Sequence, residues 1–137
     1  MLKYLHTRKR RKSMECLFCS YKKEYYIAEN SLCFAIYDKF PVNEGHVLII
    51  PKRHFQNYFD ATEEEINDMY KLSHEVKSIL DKKYNPDGYN IGVNVGYYGG
   101  QTIMHLHMHI IPRYKGDIED PRGGVRRIKR QLVFYNG

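Results

Sequence analysis

Residues 103–112 read Ile-Met-His-Leu-His-Met-His-Ile-Ile-Pro, and three of the chain's seven histidines stand at every second position of this stretch. In an extended strand successive side chains point to opposite faces. His105, His107 and His109 then share one face, and Leu106, Met108 and Ile110 share the other. A helix would turn the imidazoles by about 200° from one to the next and scatter them. The pattern predicts a strand over 103–112 with an apolar face on the core and an imidazole face lining a site.

The rest of the chain bounds what that site serves. A length of 137 residues suits one domain with a real core and leaves little room for a second. No run of 18 apolar residues occurs, so the sequence predicts a soluble protein with neither a membrane span nor a secretory signal. Cys16 and Cys19 are too close together to belong to a secreted disulfide framework, and the third cysteine makes the number odd. A reducing compartment, the cytoplasm, fits better. The net charge of +6 suggests a nucleic-acid partner until it is located. Lys3, Arg8, Lys9, Arg10, Arg11 and Lys12 fall within residues 1–13 without an acid, and the other 16 basic residues balance the 16 acidic ones. The basicity therefore belongs to a tail, expected to be disordered, ahead of a domain over 14–137. Arg126, Arg127, Lys129 and Arg130 form a second basic cluster, which reads as a solvated face.

Turn residues punctuate the chain regularly. Tyr25 to Glu29 and Cys33 to Asp38 are apolar-rich runs around Asn30-Ser31 and predict a hairpin. Gly45 to Pro51 is a further strand. Thr62 and Glu65 have capping-box spacing, and Ile66, Met69, Leu72, Val76, Ile79 and Leu80 recur at helical intervals until Asn85-Pro86-Asp87-Gly88. Tyr89 to Val95 reads as another strand and Gly96 to Gln101 as a glycine-rich turn before the histidines. The order predicts an α+β domain with a mostly antiparallel sheet and one main helix.

On these residues the chain resembles the histidine-triad (HIT) proteins. GGQTIMHLHMHIIPRYKGD is similar to that family's signature of three histidines alternating with apolar residues after a Gly-Gln-Ser/Thr turn, and FAIYDKFPVNEGHVLIIPKRH resembles the other half of its site. The resemblance runs from about Cys16 to Arg127. It implies a HIT-like fold and an enzyme that binds a nucleotide and cleaves at its α-phosphate, through a nucleotidyl-imidazole intermediate on the middle histidine, His107. By the same alignment His109 contacts phosphate and supports the leaving oxygen; the transferase relatives carry glutamine there, so histidine favours hydrolysis. The resemblance further implies a phosphate cradle made by the backbone N–H groups from Gly100 to Thr102 with the Thr102 hydroxyl, Asn94 facing the phosphate and Gln101 in the turn beside it. Asp38 matches the carboxylate that takes the ribose hydroxyls and His46 a histidine of the same polar cluster; Phe18 and Ile27 are the candidates to flank the base. A homodimer is expected from the same resemblance. The absence of tryptophan and the ending PRYKGDIEDPRGGVRRI favour dinucleoside polyphosphates as substrates over the nucleoside phosphoramidates that other members cleave.

Cys16-x-x-Cys19 is half of a tetrahedral zinc site. The resemblance to members that complete it with two histidines implies His54 and His105 as the other ligands, in a structural role. Two rival readings use the residues differently. One takes the three histidines as a catalytic metal site of a metal-dependent hydrolase. The other takes the chain as a nucleic-acid or protein-binding module worked by its basic tail. Neither needs Asp38, Asn94 or Gln101.

Overall fold

A computed structural model describes residues 15–129. The basic tail expected over 1–13 lies outside them, as does Arg130. Six elements carry the fold: β1 (Ala28–Glu29), β2 (Cys33–Tyr37), β3 (Val47–Pro51), α1 (Glu63–Tyr84), β4 (Gly88–Gly92) and β5 (Met108–Arg113). The strands form one sheet in the order β1-β2-β3-β5-β4, every neighbouring pair antiparallel. This is the α+β arrangement that the order of elements predicts.

The helix forms where its signals stand. Thr62 Oγ1 accepts the Glu65 N–H at 3.1 Å while Glu65 Oε1 accepts the Thr62 N–H at 2.9 Å, so two of the orphan donors of the first turn are satisfied. It ends at Asn85, which takes the left-handed conformation at φ 50° and donates its N–H to the Asp81 carbonyl. Met69, Leu72, Val76 and Leu80 are buried and pack on Ala35, Val47, Ile49 and Ile110 from the sheet. Truncating Leu72, 1% exposed, to alanine would cost about 2–5 kcal/mol.

The opposite sheet face is covered by the N-terminal segment. Cys16 and Phe18 pack on Phe34, Ile36, Leu48 and Ile50, and Tyr26 stacks on Phe34 with centroids 4.3 Å apart. Cys33 to Ile36 and Val47 to Ile50 are buried without interruption because both of their faces are covered. Leu48 pairs with His109, which sets the histidine on the face away from the helix.

Three sequence expectations need correcting, the simplest being that β4 stops at Gly92, three residues before the expected end at Val95. The ladder of β5 begins at Met108, five residues later than predicted, because in the preceding segment the Leu106 N–H turns to the Phe55 carbonyl at 3.0 Å instead of to a strand. The alternation holds through it all the same: Leu106 belongs to the helix-side core, while the His105 and His107 rings both meet Phe18. The first hairpin arm is also shorter, since Lys23–Tyr25 closes a 3-10 turn and only Ala28 and Glu29 pair.

Gly45 precedes β3 at φ +88°, and a Cβ there would lie 2.9 Å from the Tyr84 ring and 3.2 Å from Pro112. Only glycine lets this turn tuck under the end of α1.

Candidate active site

A cleft of about 320 Å³ opens on the sheet face opposite α1. Phe18, Ile36, Leu48 and Ile103 supply an apolar wall, and Asp38, Asn94, Gly100, Thr102, His107 and His109 a polar one. The sequence reading missed Ile36, Leu48 and Ile103; the alternation of β2 and β3 against known core positions is the signal that finds the first two. Ile27 is not brought to the cleft. Its N–H bonds the Ala35 carbonyl and its side chain packs in the helix-side core.

Backbone groups have no tautomers, so they decide which ring nitrogen of each histidine carries the proton. The His105 carbonyl lies 2.9 Å from His107 Nδ1 and can only accept, which puts the proton on Nδ1 and leaves the Nε2 lone pair free. The Val42 N–H lies 3.0 Å from His46 Nδ1 and can only donate, so His46 holds its proton on Nε2. That proton faces His109 Nδ1 at 2.9 Å and Asp38 Oδ2 at 3.4 Å. Accepting it, His109 carries its own proton on Nε2. Asp38 is steadied in turn by the Phe40 N–H, 2.9 Å from Oδ1.

Burial keeps these rings neutral. It lowers the pKa of His107 and of His46, and it pushes His109 down to about 4, helped by the neighbouring His107 and His46. A neutral imidazole with a free Nε2, as at His107, is able to attack an electrophile, and one with a protonated Nε2, as at His109, can donate a hydrogen bond.

The turn that ends the cleft is held from within. Gly100, at φ +93°, donates its N–H to Tyr97, and Gln101 donates its own to Gly96. Those two amides therefore serve the turn, which corrects the expectation that they cradle phosphate. Gln101 is 2% exposed; its Oε1 accepts the Gly96 N–H at 3.0 Å and its Nε2 donates to the carbonyls of Gln56 and Ile103. It holds the turn in place and does not line the cleft. Asn94 and Thr102 do.

Beside the cleft lies a second cluster. The Pro51 carbonyl sits 2.7 Å from His105 Nε2 and fixes the proton there, so the Nδ1 lone pair points the other way. It meets Cys16 Sγ and Cys19 Sγ at 3.5 Å each and His54 Nδ1 at 3.1 Å, while Cys19 Sγ lies 3.2 Å from His54 Nδ1. All four donor atoms fall within 4.8 Å of one another. Burial pushes the His105 pKa down to about 4, so the ring is neutral and its Nδ1 lone pair could serve a metal. The loop carrying His54 is clamped from both sides of that residue. Arg53 reaches the buried Glu65 carboxylate with two bonds of 2.8 and 3.1 Å and lies over the Phe55 ring at 4.3 Å.

The family model for the HIT domain matches residues 21–116. A 16.1 kDa HIT-like protein of Mycoplasma pneumoniae is 38% identical over 73% of this chain and 72% of its own length. The bis(5'-adenosyl)-triphosphatase of Dictyostelium discoideum is 39% identical over 65% of this chain and 60% of that protein. A zinc-bound histidine triad family protein from Mycobacterium smegmatis has a similar structure, with a TM-score of 0.70 at 31% identity over 77% of this chain and 80% of that one. With the model covering well over half of its length, the chain belongs to the HIT-domain family.

Proposed function

We propose that the protein hydrolyses dinucleoside polyphosphates at the α-phosphate through a covalent nucleotidyl-His107 intermediate. The observation that carries this reading is the 2.9 Å contact between His107 Nδ1 and the His105 carbonyl, which leaves Nε2 with its lone pair on a ring that lines the cleft. In the first step Nε2 bonds to the α-phosphorus and the bond to the bridging oxygen breaks, releasing a nucleoside polyphosphate. In the second a water oxygen bonds to phosphorus, the N–P bond breaks, the water proton goes to solvent, and the nucleoside monophosphate leaves. His109 Nε2–H donates to a phosphate oxygen as charge builds on it, and the His46 proton behind it keeps the donor turned the right way. Asp38 accepts from the ribose hydroxyls, Asn94 and Thr102 meet phosphate oxygens, and Phe18, Ile36, Leu48 and Ile103 flank the base.

Zinc fits the second cluster. With Zn–S near 2.3 Å and Zn–N near 2.0–2.1 Å, a tetrahedron has edges of about 3.3–3.8 Å, close to the 3.1–3.5 Å that separate His105 Nδ1 from its three neighbours and Cys19 Sγ from His54 Nδ1. When bound, the ion is structural, because four protein ligands leave no open position. His105 is then a ligand and takes no part in proton transfer.

The reading in which the three histidines hold a catalytic metal is weaker: among the described residues His105 clusters with Cys16, Cys19 and His54, His109 clusters with Asp38 and His46, and His107 joins neither set. Asp38, His46 and His109 are close enough to share an ion, but the Val42 N–H obliges His46 to keep its proton on the Nε2 that would have to bind it. No helix among the described residues is long and apolar enough to cross a membrane. Its three cysteines are unpaired thiols, which suits a reducing, cytoplasmic setting.

We also propose a homodimer. The outer edge of β4 adjoins an apolar cavity of about 510 Å³ against α1, where Tyr70 and Ile91 are 61% and 57% exposed. A two-fold partner that adds its own β4 would extend the sheet and cover both. A monomer by light scattering at micromolar concentration would contradict this.

Function is tested by screening purified protein against diadenosine polyphosphates and adenosine phosphoramidate with AMP release as the readout. Turnover of the polyphosphates supports the proposal; turnover of the phosphoramidate alone favours the phosphoramidase reading, and none of either defeats the hydrolase.

A further inference from the structure

The cleft does not end at Phe18. Leu17, Tyr21 and Lys39 line both it and an adjoining groove of about 390 Å³, whose outer wall is Ser20, Lys22 and Tyr25. The groove is therefore as large as the cleft, and no acid is among its lining residues. Tyr25, 59% exposed, stands edge-on to Tyr21 with centroids 6.1 Å apart, and the Lys39 ammonium lies 5.7 Å from the Tyr21 ring centre. The platform is anchored: the Tyr25 and Tyr26 N–H groups close the 3-10 turn at 3.0 Å each, and Tyr26 stacks on the sheet through Phe34.

Tyrosine faces flanked by two ammonium groups suit a ligand that is aromatic and anionic together. Stacking on tyrosine accepts any base, and the lysines meet phosphate as point charges. One compartment takes one nucleoside, so two joined compartments suit two. Lys39, one of the three residues shared at the junction, follows Asp38, the carboxylate assigned to the first ribose.

We propose that this groove is the subsite for the second nucleoside of a dinucleoside polyphosphate, which binds folded, with its first base against Phe18, its second on the face of Tyr25 with the Tyr21 ring at its edge, and its bridging phosphates passing Lys39. The proposal rests on the hydrolase reading above. It makes the groove the source of preference for dinucleotides, since a conjugate with a small leaving group leaves it empty.

Steady-state kinetics with diadenosine tetraphosphate, and inhibition by AMP, which fills the cleft alone, test this in two double variants. One is Lys22→Ala with Tyr25→Ala. The other is Tyr97→Ala with Tyr98→Ala, which removes two tyrosines, 54% and 89% exposed, from the turn at the phosphate end. The groove variant should raise KM for diadenosine tetraphosphate roughly tenfold. Its kcat and its inhibition constant for AMP should stay within about twofold of the parent values. The Tyr97/Tyr98 variant should leave all three unchanged. An unaltered KM in the groove variant overturns the proposal, as does an equal weakening of AMP, or a KM rise carried by the Tyr97/Tyr98 variant instead. An unmodified protein that releases AMP from a phosphoramidate but leaves diadenosine tetraphosphate intact also overturns it while sparing the hydrolase. Failure on both substrates removes the hydrolase reading, and the proposal with it.

Discussion

His105 and His107 stand two residues apart, and their rings touch the same phenylalanine, yet one joins the cluster of Cys16, Cys19 and His54 and the other lines the cleft. The difference lies in which nitrogen meets a carbonyl. Pro51 takes the proton of His105 Nε2, so Nδ1 turns toward two sulfurs and a second imidazole; the His105 carbonyl takes the proton of His107 Nδ1, so Nε2 is left bare. A net hydrogen-bond gain of about 1 kcal/mol biases a tautomer roughly fivefold. Two backbone oxygens thus divide one residue type between a set of four possible metal ligands and a ring whose bare nitrogen faces the cleft. The surroundings of the two rings differ to match: thiols and a second imidazole around His105, the Phe18 and His109 rings around His107.

Removing each histidine should therefore break something different. The largest effect is expected at His107. His107→Ala should fold normally and lose turnover by on the order of 10³ or more, because the covalent route disappears while nucleotide binding remains. Near-normal turnover would sink the nucleophile and reopen the metal reading.

The other cluster should answer to metal first. Elemental analysis of protein purified without chelator should give about one zinc per chain, and Cys19→Ser should lose it. An ion held at a thousand times its Kd stabilises by about 4 kcal/mol, so the variant or a chelator should lower Tm by on the order of 10 °C. Stable, active protein without zinc would remove the site.

Acid sharpens the contrast least. His109, held near a pKa of about 4, and His46 and His107, lowered from the ordinary value of about 6.5, bind protons more readily in the unfolded chain. Their contribution to stability is whole above about pH 6.5 and is lost as pH falls from there toward 4. Urea midpoints should fall between pH 7.5 and pH 5, and His109→Asn should flatten that slope; a slope unchanged by the substitution would show that His109 is not the group that titrates.

Much of this was legible in the residues themselves. The capping box at Thr62 and Glu65, the stop at Asn85 and the alternation from Ile103 to Ile110 are local patterns, and each forms as its period or turn chemistry requires. What was not legible depends on partners far away in sequence. Nothing local sends the Leu106 N–H to Phe55 and so delays β5, and nothing local places Ile27 on the helix side by pairing it with Ala35. The cleft polar residues came from a resemblance, which named Gln101 and Asn94 alike. Only the fold separates them, since every polar atom of the Gln101 side chain is spent on backbone groups whereas Asn94 lines the cleft.

The central claim is that Nε2 of His107 bonds to phosphorus, and stereochemistry reports on it most directly. A dinucleoside polyphosphate with a chiral α-phosphorothioate would be hydrolysed in isotopically labelled water and the configuration of the released nucleotide determined. Two in-line displacements, one by His107 and one by water, predict retention. Inversion would mean that water attacks in a single step, and would contradict the covalent mechanism.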